Sequence, residues 1–506
     1  MTQMPDRDQW STGKGAPDEH AIVVLDATLL EDGLARAKQR AREGQFVRLI
    51  AVGATLHPAG PRIVHTELDA YLPRDRCTPL LHARKQREAQ LEHWFGPLGR
   101  ALYASYCNRA PPDDALLEGL RHWHSQVEFV GKPAPPSLVR GLAALSGAVA
   151  LRTREAVGTE QARLRRGKQN PSVWLAVIAH APHACRLVIE EAQKWRDTDV
   201  AVGILLFDKL GSDQSGVTAV EAALGRPAVA IESCSQLQDL SALPAGVAAS
   251  LRALRRGAAP HKLATIDIIR AVEAECASTR IAERYDLRGS KVFFPHASLP
   301  SVAAADLTLQ RFGATTCELV HGAFPDFSHC VTYAASLSTE RIVFTELEAE
   351  RMRVLVPTQR TSVRPHRPAA PLHTRPIKRV LALTNYGHGY ALRRGASIEA
   401  FQRAFFAALP EGLEIRWRPH PDDDPEVIGR AQRPGIELSF KQRPLEADLA
   451  WADAVVSSVS TAIFEAQDAG LPVFVHDVPL FEEVSVASLF PTFSNASELR
   501  ALLKLA

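Results

Sequence analysis

Two stretches near the C-terminal end carry residue types suited to holding a phosphate group. In RWRPHPDDDPE (Arg416 to Glu426) the pattern from Leu413 to Trp417 predicts a strand, Pro419 breaks it, and His420 with Pro421 is left at the strand's carboxyl edge. An imidazole there can donate to a phosphate oxygen and, when protonated, offset its charge. Asp422, Asp423 and Asp424 then cap a helix expected to begin at Pro425, where acidic residues complement the helix dipole. In ADAVVSSVSTAIFEAQDAGLPVFV (Ala452 to Val475), apolar Ala454 to Val456 predict a short buried strand. Ser457, Ser458, Ser460 and Thr461 lie at its exit, and AIFEAQDAG supplies a helix stopped by Gly470. Free backbone N–H groups and the positive end of a helix dipole converge at such a point, and hydroxyls add donors without bulk. The same hydroxyls suit plain helix capping, which uses the same geometry.

These residues need a frame that brings two strand exits together. Short apolar, β-rich runs such as AIVVLDA, FVRLIAVGA, VWLAVIAHA and VAVGILLFD alternate with helical stretches rich in Ala, Leu, Arg and Glu. That alternation predicts parallel sheets with helices on both faces, and such sheets bind ligands at the carboxyl ends of their strands. The sharpest boundary is PTQRTSVRPHRPAAPLHTRPIKR, dense in Pro and Arg and without a periodic apolar face, which reads as a linker over residues 357–378. Residues 379–506 then suffice for one Rossmann-like domain. Residues 21–356 are too many for one simple unit and leave room for an extra subdomain, divided near 131–140 or 250–262. Residues 1–20 are polar and of mixed charge, and are expected to be a disordered leader.

Composition narrows the class further. The 506 residues hold 46% hydrophobic side chains, enough for large cores, and 59 basic against 57 acidic residues give a formal charge of +2. That balance supplies no global attraction to nucleic acid. The 7 cysteines are widely spread without metal-binding spacing, and read as reduced thiols of a cytoplasmic protein. No apolar run is long enough to cross a bilayer, so the chain is expected to be soluble or peripheral at a membrane.

The His-Pro and Ser-Ser pair, in this order and at matching positions, resembles the HP and SS/ST motifs of bacterial sialyltransferases and of related Kdo transferases of capsule and O-antigen assembly. The resemblance covers the C-terminal quarter of the chain. It implies a GT-B fold, two Rossmann-like domains facing a cleft, here with the N-terminal half enlarged. It also implies a donor that is a CMP-activated ulosonic acid, held at its phosphate by His420 and the serines. FEAQDAGLP is similar to an element of many GT-B enzymes whose Glu bonds the donor ribose, here Glu465; its plainer reading is an exposed helix residue. The acceptor would be a glycan or lipid-linked glycan. Neither a cofactor nor a metal is expected, since the acidic run from Asp422 to Asp424 is assigned to helix capping.

Other positions complete the expected site. In TNYGHGYALRRG, Gly387 and Gly389 permit close backbone approach to a ligand, or make a simple turn. CELVHGAFPDF resembles a strand-QHG turn of polysaccharide transferases, with Val320 in place of Gln, and would bring His321 and Gly322 to the cleft; His296 is a further cleft candidate. Glycosyl transfer needs a proton acceptor or a carboxylate nucleophile, expected before the linker. Glu31-Asp32-Gly33 is similar to the acidic motif of the sialyltransferases, which makes Asp32 one candidate; Asp208, Asp213 and Glu232, at predicted strand ends, are the others. Two alternative functions stay open. One is a CDP-glycerol or other polyol-phosphate transferase, although Val455 and Val456 replace its tyrosine and aspartate. The other is a non-catalytic sugar-nucleotide-binding subunit of a polysaccharide assembly complex.

Overall fold

The computed structural model describes residues 19–24, 30–51, 63–67, 91–102 (except 94 and 97), 126–130, 138–157, 169–178, 182–207, 215–234, 240–255, 265–320 (except 296 and 298), 336–366, 377–384, 398–420, 428–440 (except 430 and 431), 443–476 (except 459) and 489–503. Their strands form three sheets, and every pairing is parallel. The first holds β1 (Glu19–Val24), β2 (Phe46–Ala51), β3 (Ile63–Glu67) and β4 (Gln126–Val130) in the order β3-β2-β1-β4, with α1 (Leu30–Arg42) after β1. The second holds β5 (Val173–Ile178), β6 (Val202–Phe207), β7 (Ala230–Ser233), β8 (Lys291–Phe294), β9 (Thr315–Leu319), β10 (Glu340–Val343) and β11 (Arg360–Val363) in the order β11-β10-β9-β8-β5-β6-β7. The third holds β12 (Arg379–Leu383), β13 (Glu414–Arg418), β14 (Ile436–Leu438), β15 (Ala454–Ser457), β16 (Val473–His476) and β17 (Thr492–Phe493) in the order β14-β13-β12-β15-β16-β17.

One pattern recurs in all three. The first strand is central, the second and third lie to one side, and the fourth lies to the other, which is the doubly wound order with its switch point between first and fourth strands. The expected α/β architecture is therefore present, and the N-terminal half is enlarged by a sheet of its own.

The second sheet shows why these residues make these elements. Every residue of β5 and β6 is buried, as a parallel strand covered on both faces requires. Between β4 and β5 lies α2 (Leu138–Val157). Alternate residues divide by face. Val173, Leu175 and Val177 pack with α3 (Pro182–Gln193) and α4 (Ser215–Leu224), whereas Trp174, Ala176 and Ile178 face the opposite layer. That layer, after α5 (Leu243–Arg255), comprises α6 (Thr265–Arg284) and α7 (Pro300–Arg311). Gly203 of β6 lies against the Trp174 ring, where a Cβ would stand 2.5 Å from a ring carbon. Two of the cysteines, Cys234 and Cys317, are buried here, and burial pushes both thiols up to about 12. Helix α2 is tied to α6 by Arg152, whose Nε donates to both carboxylate oxygens of Glu273 at 2.7 and 2.8 Å, with neither residue more than 1% exposed.

Part of the stretch read as linker is structured. Arg360–Val363 is β11, an edge strand paired with β10, with Thr361 buried and Arg360 and Ser362 exposed. An edge strand needs only one buried face, so its polar residues hid it in the sequence. Residues 250–255, at one expected point of division, belong to α5. After β10, α8 (Glu346–Leu355) opens with a full capping box between Thr345 and Glu348. The third sheet is completed by α9 (Ile398–Ala407), α10 (Leu445–Trp451), α11 (Ala462–Asp468) and α12 (Ala496–Leu502). One apolar core joins it to the second sheet: Val320, Val343, Phe344, Ala349 and Met352 cluster with Leu381, Leu383, Val455, Ile463, Phe464 and Val475. No helix among the described residues is long and apolar enough to cross a membrane.

Asp306 of α7 is wholly buried, accepting from Ser338 Oγ and Gln310 Nε2 at 2.6 Å each, and burial pushes its carboxyl up to about 6. A raised carboxyl favours the folded state fully below its unfolded value, and that contribution is lost as pH rises through about 6. Asp306→Asn should therefore gain on the wild type by about 3 kcal/mol as pH rises from about 3, below the unfolded carboxyl's value, to neutral, read by urea unfolding of both proteins. A difference that does not change with pH would contradict this.

Candidate functional site

The third sheet brings the two motifs to one edge. Leu383, the last residue of β12, lies opposite Arg418 of β13 on one side and Ser457 of β15 on the other. Pro419 and His420 follow Arg418, and Ser458 follows Ser457, so both motifs leave the sheet at its carboxyl edge, flanking the central strand. The edge is tightly laced. Ser457 Oγ and the Ser458 N–H donate to the Leu383 carbonyl at 3.3 and 3.1 Å, the Thr384 N–H donates to the Arg418 carbonyl at 3.2 Å, and the Trp417 indole donates to Thr384 Oγ1 at 2.9 Å. The switch point between β12 and β15 falls at this place.

The hydroxyls are not equivalent. Ser457 and Ser458 are buried, and Ser457 is committed to joining β15 to β12. Ser460 and Thr461 are half-buried at the start of α11, where Ser460 Oγ accepts from the Ala462 N–H at 3.3 Å. Ser460 thus bonds the backbone of this turn. Helix α11 ends as the sequence requires: Gly470 has φ +80, its N–H donates to Gln467 O at 2.9 Å, and the Leu471 N–H donates to Ala466 O at 3.0 Å, a Schellman motif. The arginines before His420 are fixed from within. Arg418 donates to Asp448 of α10 at 2.7 Å and to Arg443 O at 2.8 Å, Arg416 meets Asp448 at 3.3 Å, and Ser439 Oγ donates to the same carboxylate at 2.6 Å. This buried aspartate, unmarked by any motif, orients the strand that carries His420.

Glu465 is not an exposed helix residue. It is partly buried and ion-paired with Arg186 of α3, 2.5 Å away, a residue of the second sheet's first helix that no sequence motif marked. Burial pushes the Glu465 carboxyl up, and Arg186 opposes the rise. Beside this pair, Arg364 meets Glu190, and His366 Nδ1 lies 3.4 Å from Asp468 while its ring stacks against both Phe344 and Phe464, at 5.8 and 4.7 Å. A cavity of about 450 Å³ lies next to it, with α3, the ends of β9 to β11 and Asp468 among its walls.

The carboxylate candidates separate. Asp32 is exposed in the first turn of α1, at the carboxyl edge of central strand β1. Gly33 beside it has a packing cause, because a Cβ there would lie 2.2 Å from Val24 Cγ2. Glu232 of β7 is buried, ion-paired with Arg284 and accepting from Tyr285 Oη at 3.1 Å. Both partners lie at the end of α6, the helix that leads into the start of β8, and Tyr285 packs edge-on against Trp174 near the start of β5. The Glu232 carboxylate is thus held from the amino side of the sheet. Asp208, Asp213, His296, His321, Gly322, Gly387, Gly389, Pro421 and the run from Asp422 to Asp424 lie outside the described residues. Among the described residues, no group of three or more His, Cys, Asp or Glu is placed to hold a metal ion.

No protein-family model and no curated protein matches the chain. Similar solved structures include the calicheamicin glycosyltransferase CalG4, with 15% identity over 67% of this chain and 89% of that one and a TM-score of 0.32. The Thermobaculum terrenum O-GlcNAc transferase matches with 11% identity over 84% and 74% and a TM-score of 0.38. The N-terminal domain of Candida albicans trehalose-6-phosphate phosphatase matches with 11% identity over 67% and 91% and a TM-score of 0.39. At these scores the likenesses add nothing to the strand orders, on which the reading of the fold rests.

Proposed function

We infer that the protein is a metal-independent glycosyltransferase of GT-B type that moves a CMP-activated ulosonic acid, Kdo or a sialic-acid relative, onto a glycan acceptor. The observation that carries the reading is the register about Leu383, which sets His420 and the serine cluster on one carboxyl edge at a switch point. A single phosphate suits one imidazole and a few hydroxyl and backbone donors. As the anomeric C–O bond breaks, negative charge grows on the departing CMP, and donors fixed on that phosphate stabilise it. The acceptor is deprotonated by a carboxylate from the N-terminal side. Val455 and Val456, buried core residues of β15, stand where a polyol-phosphate transferase would carry tyrosine and aspartate, which favours the CMP-sugar reading.

Calorimetric titration tests the donor. CMP is expected to bind more tightly than UMP, GMP or UDP and to raise the melting temperature, because nucleotide binds only the folded state. His420→Ala should weaken CMP binding by about ten- to hundredfold, the loss of one charge-assisted hydrogen bond. Equal affinity for all four nucleotides, or unchanged CMP affinity in a folded His420→Ala protein, would overturn the assignment.

A further inference from the structure

At the mouth of this site a cation arrives from the other large sheet. Arg186 stands in the first half of α3, and its guanidinium meets Glu465 at 2.5 Å, Glu446 of α10 at 3.7 Å and Glu190 of its own helix at 3.2 Å. Strands β5 and β15 each border the switch point of their own sheet, and α3 and α11 are the helices that follow them. The ion pair therefore joins the carboxyl edges of the two sheets where each is expected to bind a ligand.

Glu465 lies on the same face of α11 as Thr461, one turn further along. Withdrawal from water works against its ionised form; Arg186 opposes this most strongly, Arg364 assists, and Glu446 adds to the penalty. Asp468 at the end of α11 lies near Arg364 and His366, and Glu190 on α3 shares both arginines. An ionised carboxylate only accepts hydrogen bonds, so it suits sugar hydroxyls and repels phosphate. The edge thus divides into a donor-lined part at His420, Ser460 and Thr461 and an acceptor at Glu465. Partly exposed ion pairs contribute little to holding surfaces together, so the pair has small value as an adhesive.

We propose that Arg186 is a positioning residue for the donor: it keeps Glu465 in its acceptor form for the ribose hydroxyls of the nucleotide, and so makes the second sheet part of a donor site built on the third. The assignment rests on the nucleotide reading above.

Calorimetric titration of the full chain with CMP and with the dideoxy analogue lacking both ribose hydroxyls, at mildly acidic and mildly alkaline pH, tests it. The wild type is expected to prefer CMP by about tenfold at both pH values. Arg186→Met should keep that preference at alkaline pH and lose it at acidic pH, where Glu465 takes up a proton. Arg186→Lys should restore it at both, and Glu465→Ala should lack it at both. An Arg186→Met protein with wild-type preference throughout, or one that loses it at both pH values without rescue by lysine, would overturn the assignment. If the wild type binds CMP with no preference for ribose hydroxyls, the donor reading stands and the role of Arg186 falls. If it binds neither nucleotide, the donor reading itself fails and takes the assignment with it.

Discussion

Replacement of one carboxylate on the N-terminal side of the chain is expected to lower sugar transfer by about a thousandfold while CMP affinity persists, the loss that follows removal of a general base. A group used in chemistry rather than in donor binding gives that pattern, because the nucleotide's contacts survive without it. Asp32→Asn, Asp208→Asn, Asp213→Asn and Glu232→Gln are the variants to assay, by transfer from a radiolabelled CMP-sugar beside CMP titration. Their environments already divide the expectation. Asp32 is exposed at a strand-to-helix edge, so it can lose charge without disturbing a core. Glu232 holds Arg284 and Tyr285 and is only 4% exposed, so its variant should lose stability before it loses turnover. Near-normal transfer by all four would show that the base lies elsewhere. No transfer by the wild type with any CMP-sugar would favour a binding subunit.

Breaking the pair between α2 and α6 is expected to produce the largest loss of stability. Arg152→Ala should cost about 3–5 kcal/mol, because the buried Glu273 would lose the guanidinium that bonds both its carboxylate oxygens. The pair itself need not be strongly stabilising, since two desolvated charges only partly recover their hydration through mutual attraction. The double variant Arg152→Met with Glu273→Leu should therefore regain most of the loss. Urea unfolding of the three proteins checks both statements, and a cost below about 1 kcal/mol for Arg152→Ala would show that Glu273 is not dependent on its partner.

The local parts of the site were legible in the sequence. The exit of β15, its hydroxyls and the glycine stop of α11 are written in consecutive residues, and the structure builds them as such. The strand before His420 was legible too, but not its anchoring, because Asp448 sits in an ordinary-looking helix and its partners are distant in the chain. Arg186 was invisible for the same reason: its meaning comes from an edge of another sheet. β11 was missed because an edge strand between prolines needs few apolar residues. The enlarged N-terminal half could be inferred from length, whereas its separate sheet follows from pairings that no local pattern records. Glu31-Asp32-Gly33 shows the opposite hazard, since a motif-like glycine there is also demanded by contact with Val24.

The apolar cluster joining β10 and α8 to β12, β15 and α11 restricts how the protein could be divided. Cutting the chain in the proline-rich stretch would strip Phe464, Ile463 and Val475 of their neighbours Phe344, Val343 and Met352, leaving an oily wound on each fragment. The same seam limits how far the second and third sheets can part. Two lobes glued along a common interior can rock about it, but they cannot swing wide without tearing it.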